Sequence, residues 1–219
     1  MSWWKQLCEG SASTRIPEIV EQVNFGLSGW SEQAPTDGMR LWRAPDGSVL
    51  SLTTITGDAL LESQSDTTLQ AEARNLAKLN GGGLIEAGRA ADRERAQIWL
   101  IYKRLKLPAY FYTGMLFVTA GEVWLSWTVV AGEQGTTGIR EAVVTTELIN
   151  SGELDLKRYK SSFAQDPYDK SFRGVDARVL RFMSDAEEYD SRFPDHPLSR
   201  VRCVLKELRK NTPRINKHD

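Results

Sequence analysis

Gln97-Ile-Trp-Leu-Ile-Tyr-Lys103, Tyr110-Phe-Tyr-Thr-Gly-Met-Leu-Phe-Val-Thr119 and Val123-Trp-Leu-Ser-Trp-Thr-Val-Val130 are the stretches that decide how this chain folds. The first is apolar at both parities, the pattern of a strand covered on both faces. Pro108 then interrupts, and the second stretch resumes with aromatic and β-branched residues that suit a pleated surface. In the third, Val123, Leu125, Trp127 and Val129 are purely apolar, whereas Trp124, Ser126, Thr128 and Val130 are mixed. One face is therefore core and the other partly covered. Ala120-Gly121-Glu122 has hairpin length. Together they predict a three-stranded antiparallel meander.

Helices and further strands are expected on either side. Downstream, Ile139, Ala142, Val143, Thr146 and Ile149 follow helical spacing, although Val143-Val-Thr-Thr146 leaves a strand open. Upstream, residues Asp66 to Leu79 predict the clearest helix, capped by Asp66 or Thr67, with Leu69, Ala73, Leu76 and Leu79 on one face. Asn80-Gly-Gly-Gly83 ends it, and the polar run Gly88 to Arg95 leads into the central strands. Met39 to Ala44 and Ser48 to Thr56 predict a hairpin about Pro45-Asp46-Gly47. A short helix over Ile16 to Val23 and an extended piece ending at Trp30 precede it.

From Ser151 the composition turns charged and aromatic, and a Tyr-Asp-x-x-Phe pattern occurs at Tyr168 to Phe172 and again at Tyr189 to Phe193. On a helix, Tyr and Phe at i and i+4 share one face. Pro197 opens a last helix with an apolar stripe of Leu198, Val201, Leu205 and Leu208, beside which Cys203 is expected to pack. Its basic residues Arg200, Arg202, Lys206, Arg209 and Lys210 follow an acidic block, Asp185 to Asp195, able to neutralise them. The expected organisation is a core domain over residues 1–152, an appendage packed on it over 153–211, and a disordered tail over 212–219.

The totals narrow the function classes. At 219 residues and 41% apolar content the chain can bury a core of ordinary size, and a net charge of −1 argues against a protein built to hold nucleic acid. Cys8 and Cys203 stand at opposite ends without metal-type spacing, which suits free thiols in a reducing compartment. No apolar run reaches the length of a membrane span, and no secretory h-region opens the chain, so a cytoplasmic location is expected. Trp3 and Trp4 beside Lys5 leave a membrane-surface role open, with capping of the core as the plainer account.

In element order the chain resembles the PsbP-like superfamily, which also takes in small Ran-binding import factors and bacterial lipoprotein relatives. The likeness lies in a start ending at Trp30, a hairpin, one long helix, three aromatic-rich strands, and a turn with Gly135, Gly138, Arg140 and Glu141 before another helix. The resemblance implies an antiparallel sheet sandwiched by helices, an α+β fold, and members that mostly bind partners rather than catalyse.

Catalytic motifs are sparse. The histidines are His196 and His218, with no Gly-x-Ser-x-Gly, His-Glu-x-x-His or Cys-x-x-Cys pattern. His196, between Asp195 and Pro197, can be oriented as a base or can simply enter the helix. The run Glu133 to Gly138 suits an anion cradle or, more plainly, a tight connector. The expectation is a non-catalytic binding or adaptor protein with a protein partner and no cofactor or metal, a membrane-associated protein or an enzyme around His196 being the alternatives. The residues expected to meet the partner are Tyr168, Asp169, Tyr189, Asp190, His196, Arg200 and Arg202, since Tyr and Arg combine contact area with a polar handle.

Overall fold

In the computed structural model the three central strands lie side by side, with Lys103 opposite Tyr112 and Leu116 opposite Trp127. The structure describes residues 18–21, 23, 26–36, 38–56, 65–91, 95–120, 123–155 and 164–211. The readings made of Trp3, Trp4, Cys8, the Gly121-Glu122 turn, His218 and the tail 212–219 lie outside the described residues.

A short helix α1 (Glu18–Glu21) precedes strands β1 (Ser31–Thr36), β2 (Met39–Arg43) and β3 (Val49–Thr56). Helix α2 (Asp66–Leu79) and strands β4 (Gly82–Ala91), β5 (Ala96–Lys106), β6 (Ala109–Ala120) and β7 (Val123–Gly132) follow. Helix α3 (Ile139–Asn150), the two-residue strands β8 (Ala164–Gln165) and β9 (Arg181–Phe182), and helix α4 (Pro197–Asn211) come next among the described residues. Strands β1 to β7 form one antiparallel sheet in the order β1-β2-β3-β7-β6-β5-β4. The fold is α+β, as expected. Among the described residues no helix is long and apolar enough to cross a membrane.

Helices cover both faces because β5 to β7 are apolar on both. Leu69, Ala73, Leu76 and Ala77 of α2 bury against Leu84, Ile98, Leu100, Tyr102, Phe117 and Trp124. On the opposite face Leu198, Val201, Val204, Leu205 and Leu208 of α4 bury in the larger cluster with Trp42, Leu50, Leu52, Ile101, Leu116, Leu125 and Trp127. A Cβ at Gly114 would lie 2.6 Å from Val201 Cγ1, so the approach of α4 to β6 requires glycine there. Helix α3 takes a different neighbour, burying Val144 and Leu148 against Leu154, with Phe182, Met183, Tyr189 and Phe193 around them.

Several local expectations are corrected. The α2 cap is Ser65, whose Oγ accepts the Thr68 amide at 3.2 Å. Leu79 is 58% exposed and Ala77 takes its place, since the chain leaves the helix at Asn80 and Gly81 turns with φ of 70°. The run Gly88 to Arg95 is not a plain connector, because β4 extends through Ala91 on the sheet edge. Cys203 is exposed rather than packed. The region open between helix and strand is the helix α3. A bulge in β4 between Leu84 and Glu86 changes the side-chain parity, bringing Glu86 to the α4 face while Leu84 stays on the α2 face.

Candidate functional site

Where β5 and β7 end and β6 begins, beneath the start of α4, charged side chains are buried together. Lys103 of β5 points to the α4 face and donates from Nζ to Asp185 Oδ2 at 2.6 Å, with both side chains 0% exposed. The Phe182 ring stands 3.3 Å from Nζ. Burial lowers the Lys103 ammonium, offset in part by Asp185 and, more weakly, by Glu141 and Glu133. Arg140, the second residue of α3, is fully buried and satisfied: it donates to the Ser184 and Ala186 carbonyls, to Asp190 Oδ1 and to Ser199 Oγ. Arg202 donates to Glu86, Asp190 and the Asp185 carbonyl, at 2.7 to 3.0 Å. These bonds tie the C-terminal segment to α3 and to the bulge of β4.

The turn Glu133 to Gly138 does hold an anion, namely its own. Glu133 Oε1 accepts the Gly138 amide at 3.1 Å and Oε2 accepts the Tyr110 amide at 3.2 Å, which latches β6 to the start of α3. Gly138 reaches this position with φ of 74°, a conformation that glycine adopts without penalty. Burial acts to raise the Glu133 carboxyl, but His196 and the two amides outweigh it and hold the group below its usual value.

His196 caps α4. Its Nδ1 accepts the Leu198 amide at 3.2 Å, and Nε2 faces Glu133 Oε1 at 3.6 Å. A neutral imidazole with Nδ1 accepting carries its hydrogen on Nε2. The ring edge meets Tyr112 at a centroid distance of 5.2 Å. Tyr112 donates to Glu141 Oε1 at 3.4 Å, and burial keeps its phenol well above the ordinary value. Neighbouring Tyr110 is pushed up to about 12, by burial first and then by Glu141 and Glu133. Glu141 is raised by burial and by Asp185. Four buried atoms of this group have no hydrogen-bonding partner among the described residues: Glu141 Oε2, Ser184 Oγ, Asp185 Oδ1 and His196 Nε2.

Ligand atoms of Glu133, Glu141 and His196 lie within 4.8 Å of one another, a spacing a metal ion can bridge. The Leu198 bond works against it, because His196 then offers a hydrogen rather than a lone pair at Nε2.

Glu133 and His196 also line a cleft of about 460 Å³ with Asp46, Gly132, Thr136, Ile139, Arg140, Arg192, Phe193, Pro194, Asp195, Pro197 and Arg200. A second, more apolar hollow of about 340 Å³ beside it is lined by Trp30, Pro45, Val129, Val201 and Val204. The two share Asp46, Ala131 and Arg200, and the Arg200–Asp46 ion pair stands where they meet.

Of the residues expected to meet a partner, His196 and Arg200 line the cleft. Tyr168 lies elsewhere, its hydroxyl donating to the Ala87 carbonyl at 2.7 Å and accepting the Ala87 amide at 2.8 Å. Asp169 caps Ser171. Tyr189 is half-buried against the α3 cluster. Asp190 and Arg202 are joined to each other inside the buried network. From the sequence Lys103 and Asp46 stand as parts of a strand and a turn, not as site residues. A lysine inside an otherwise apolar strand was the one available signal for the first.

The chain matches no family model and no curated protein. Among solved structures it is similar to the Ran-binding protein Mog1p of Saccharomyces cerevisiae, at 8% identity over 87% of this chain and 88% of that one, with a TM-score of 0.42. It is also similar to a mutant of the protein Mog1, at 9% identity over 55% of this chain and 75% of that one, with a TM-score of 0.38. The resemblance drawn above to the PsbP-like superfamily is thereby corrected: the structures named are Mog1 proteins, and no PsbP-like family is matched.

Proposed function

We propose that this chain is a non-catalytic binding protein, and that the cleft between the β2–β3 turn, the β7–α3 connection and the start of α4 receives a protein partner. The observation that carries this reading is the composition of the cleft and its rim. Ile139, 51% exposed, stands in the lining beside Phe193, Pro194 and Arg192, a mixture of apolar area and arginine of the kind interfaces favour. The imidazole in the wall gives its lone pair to the Leu198 amide, which suits a structural part better than that of a base.

The test is a plugged cleft. Thr136 is exposed and lines the cleft, so Thr136→Trp fills the mouth without touching a buried bond. Immobilised wild type and Thr136→Trp of equal melting temperature are each incubated with native lysate, and the retained proteins are quantified. A protein held by the wild type and lost from the variant supports the reading. The same proteins on both, or none on either, overturns it.

A further inference from the structure

We infer that the cleft takes a positively charged side chain, an arginine or lysine of the partner, seated against Glu133; this rests on the cleft being the partner site. Glu133 is the reason. Its side chain is 5% exposed and lines the cleft, and two backbone amides donate to it and favour its ionised form. Among the described residues no lysine or arginine lies within ion-pair distance of it. Amides orient and stabilise a carboxylate without cancelling its charge, so the wall of the cleft presents an unneutralised anion.

The surroundings do not supply the missing charge. Arg140 is satisfied by four acceptors, Arg192 is paired through both guanidinium ends with Glu147, and Arg200 is shared by Asp46 and Asp195. Behind Glu133 the buried network sets the carboxylates Glu86, Glu133, Glu141, Asp185 and Asp190 against the fixed cations Lys103, Arg140 and Arg202. Of these carboxylates Glu133 is the one that lines the cleft without a lysine or arginine partner, and at low dielectric an unpaired carboxylate favours an incoming cation.

The chemistry of that cation follows from what it would meet. A zinc-type site with His196 as its third ligand needs an imidazole lone pair at Nε2, where a hydrogen stands while Nδ1 accepts the Leu198 amide. An anion would meet arginines that are already paired. An ammonium or guanidinium needs acceptors alone and finds Glu133, while Phe193, Pro194 and Pro197 give an apolar wall to its methylene stem.

The experiment titrates N-acetyl-arginine amide and N-acetyl-lysine amide into the full chain, followed by NMR. N-acetyl-citrulline amide serves as the uncharged control, and zinc, manganese and phosphate as competing probes. The expected result is that the two basic amides shift the resonances of Gly132, Thr136 and His196, with citrulline at least about tenfold weaker, the worth of one charge-assisted bond. Glu133→Gln should remove the binding. Because Glu133 also latches two amides, Thr136→Lys provides the second variant, placing a competing cation at the exposed mouth and removing the binding with the fold intact. Equal binding of citrulline, no response to either basic amide, or tighter binding of zinc, manganese or phosphate at these residues overturns the inference. If capture is lost in Thr136→Trp while the amides do not bind, the partner site stands and its cationic occupant fails. Binding of the amides without cleft-dependent capture fails the partner reading instead.

Discussion

Lys103 Nζ and Asp185 Oδ2 meet at 2.6 Å across 82 positions of sequence, with neither side chain exposed. Asp185 Oδ2 also accepts the Phe182 amide at 2.7 Å, so one carboxylate pins β9 and the following turn to the centre of the sheet. Removing a partner from a buried pair strands the other charge. Asp185→Ala should therefore cost about 3–5 kcal/mol, and Lys103→Met added to it should recover part of that loss. Urea unfolding of the two variants checks this, and a cost below about 1 kcal/mol would show that water reaches the pair.

Glu141 should make stability depend on pH in the direction opposite to most carboxylates. Burial first, and Asp185 next, raise its carboxyl above the ordinary 4.5. A folded value above the unfolded one means that Glu141 supports folding fully below 4.5 and withdraws that support as pH rises through the folded value. Glu141→Gln stays neutral and keeps an acceptor for Tyr112. The two proteins should melt alike at about pH 4 and the variant should melt higher at about pH 8. A variant that melts lower at the higher pH would show that ionised Glu141 stabilises the fold.

Trp127 is 1% exposed, and its ring lies 5.7 Å from that of Trp42 in the larger core cluster. Truncation leaves a cavity that a close-packed sheet and helix cannot collapse, so Trp127→Ala should cost about 3–5 kcal/mol. Chemical denaturation measures it.

Arg200 and Arg202, half a helical turn apart, should behave differently. The Arg200 side chain is 37% exposed, and its pairs with Asp46 and Asp195 are of the kind worth about 0–1 kcal/mol. Arg202 is 2% exposed and joins Glu86 to Asp190. Arg202→Ala should cost about 3–5 kcal/mol by leaving Glu86 without its cation and the buried Asp185 carbonyl without this donor, while Asp190 keeps Arg140. Arg200→Ala should leave the melting temperature nearly unchanged while altering capture at the cleft. Calorimetry beside the capture assay separates the two.

Tyr189 gives a contrast within the double variant Tyr189→Ala, Arg200→Ala. Its ring packs with Phe193 against Val144, Leu148 and Leu154. The drop in melting temperature of the double variant should equal that of Tyr189→Ala alone, and the loss of capture should equal that of Arg200→Ala alone. Any other partition, read from the two single variants, would place Tyr189 in the interface.

Alternation and periodicity were enough to determine the meander of β5 to β7, the β2–β3 hairpin with Gly47 at φ of 79°, the helix α2 and the buried stripe of α4. Those signals are local, since each residue reports its own face every second or every third to fourth position. The edge strands β1 and β4 escaped because Ser31-Glu-Gln-Ala-Pro-Thr36 is polar and Ala87-Gly-Arg-Ala-Ala91 is small, so neither shows an apolar face. The site was legible only in parts. His196 and Arg200 drew notice as residue types, but the tertiary structure alone decided that His196 caps a helix beside Glu133, that Glu86 crosses to Arg202 through a bulge, and that Lys103 is neutralised by Asp185. Pairs this far apart leave no spacing in the chain. Their partners are chosen by the register of the sheet and the docking of α4, which bring distant charges into one low-dielectric region where each must find a counter-charge or a hydrogen bond.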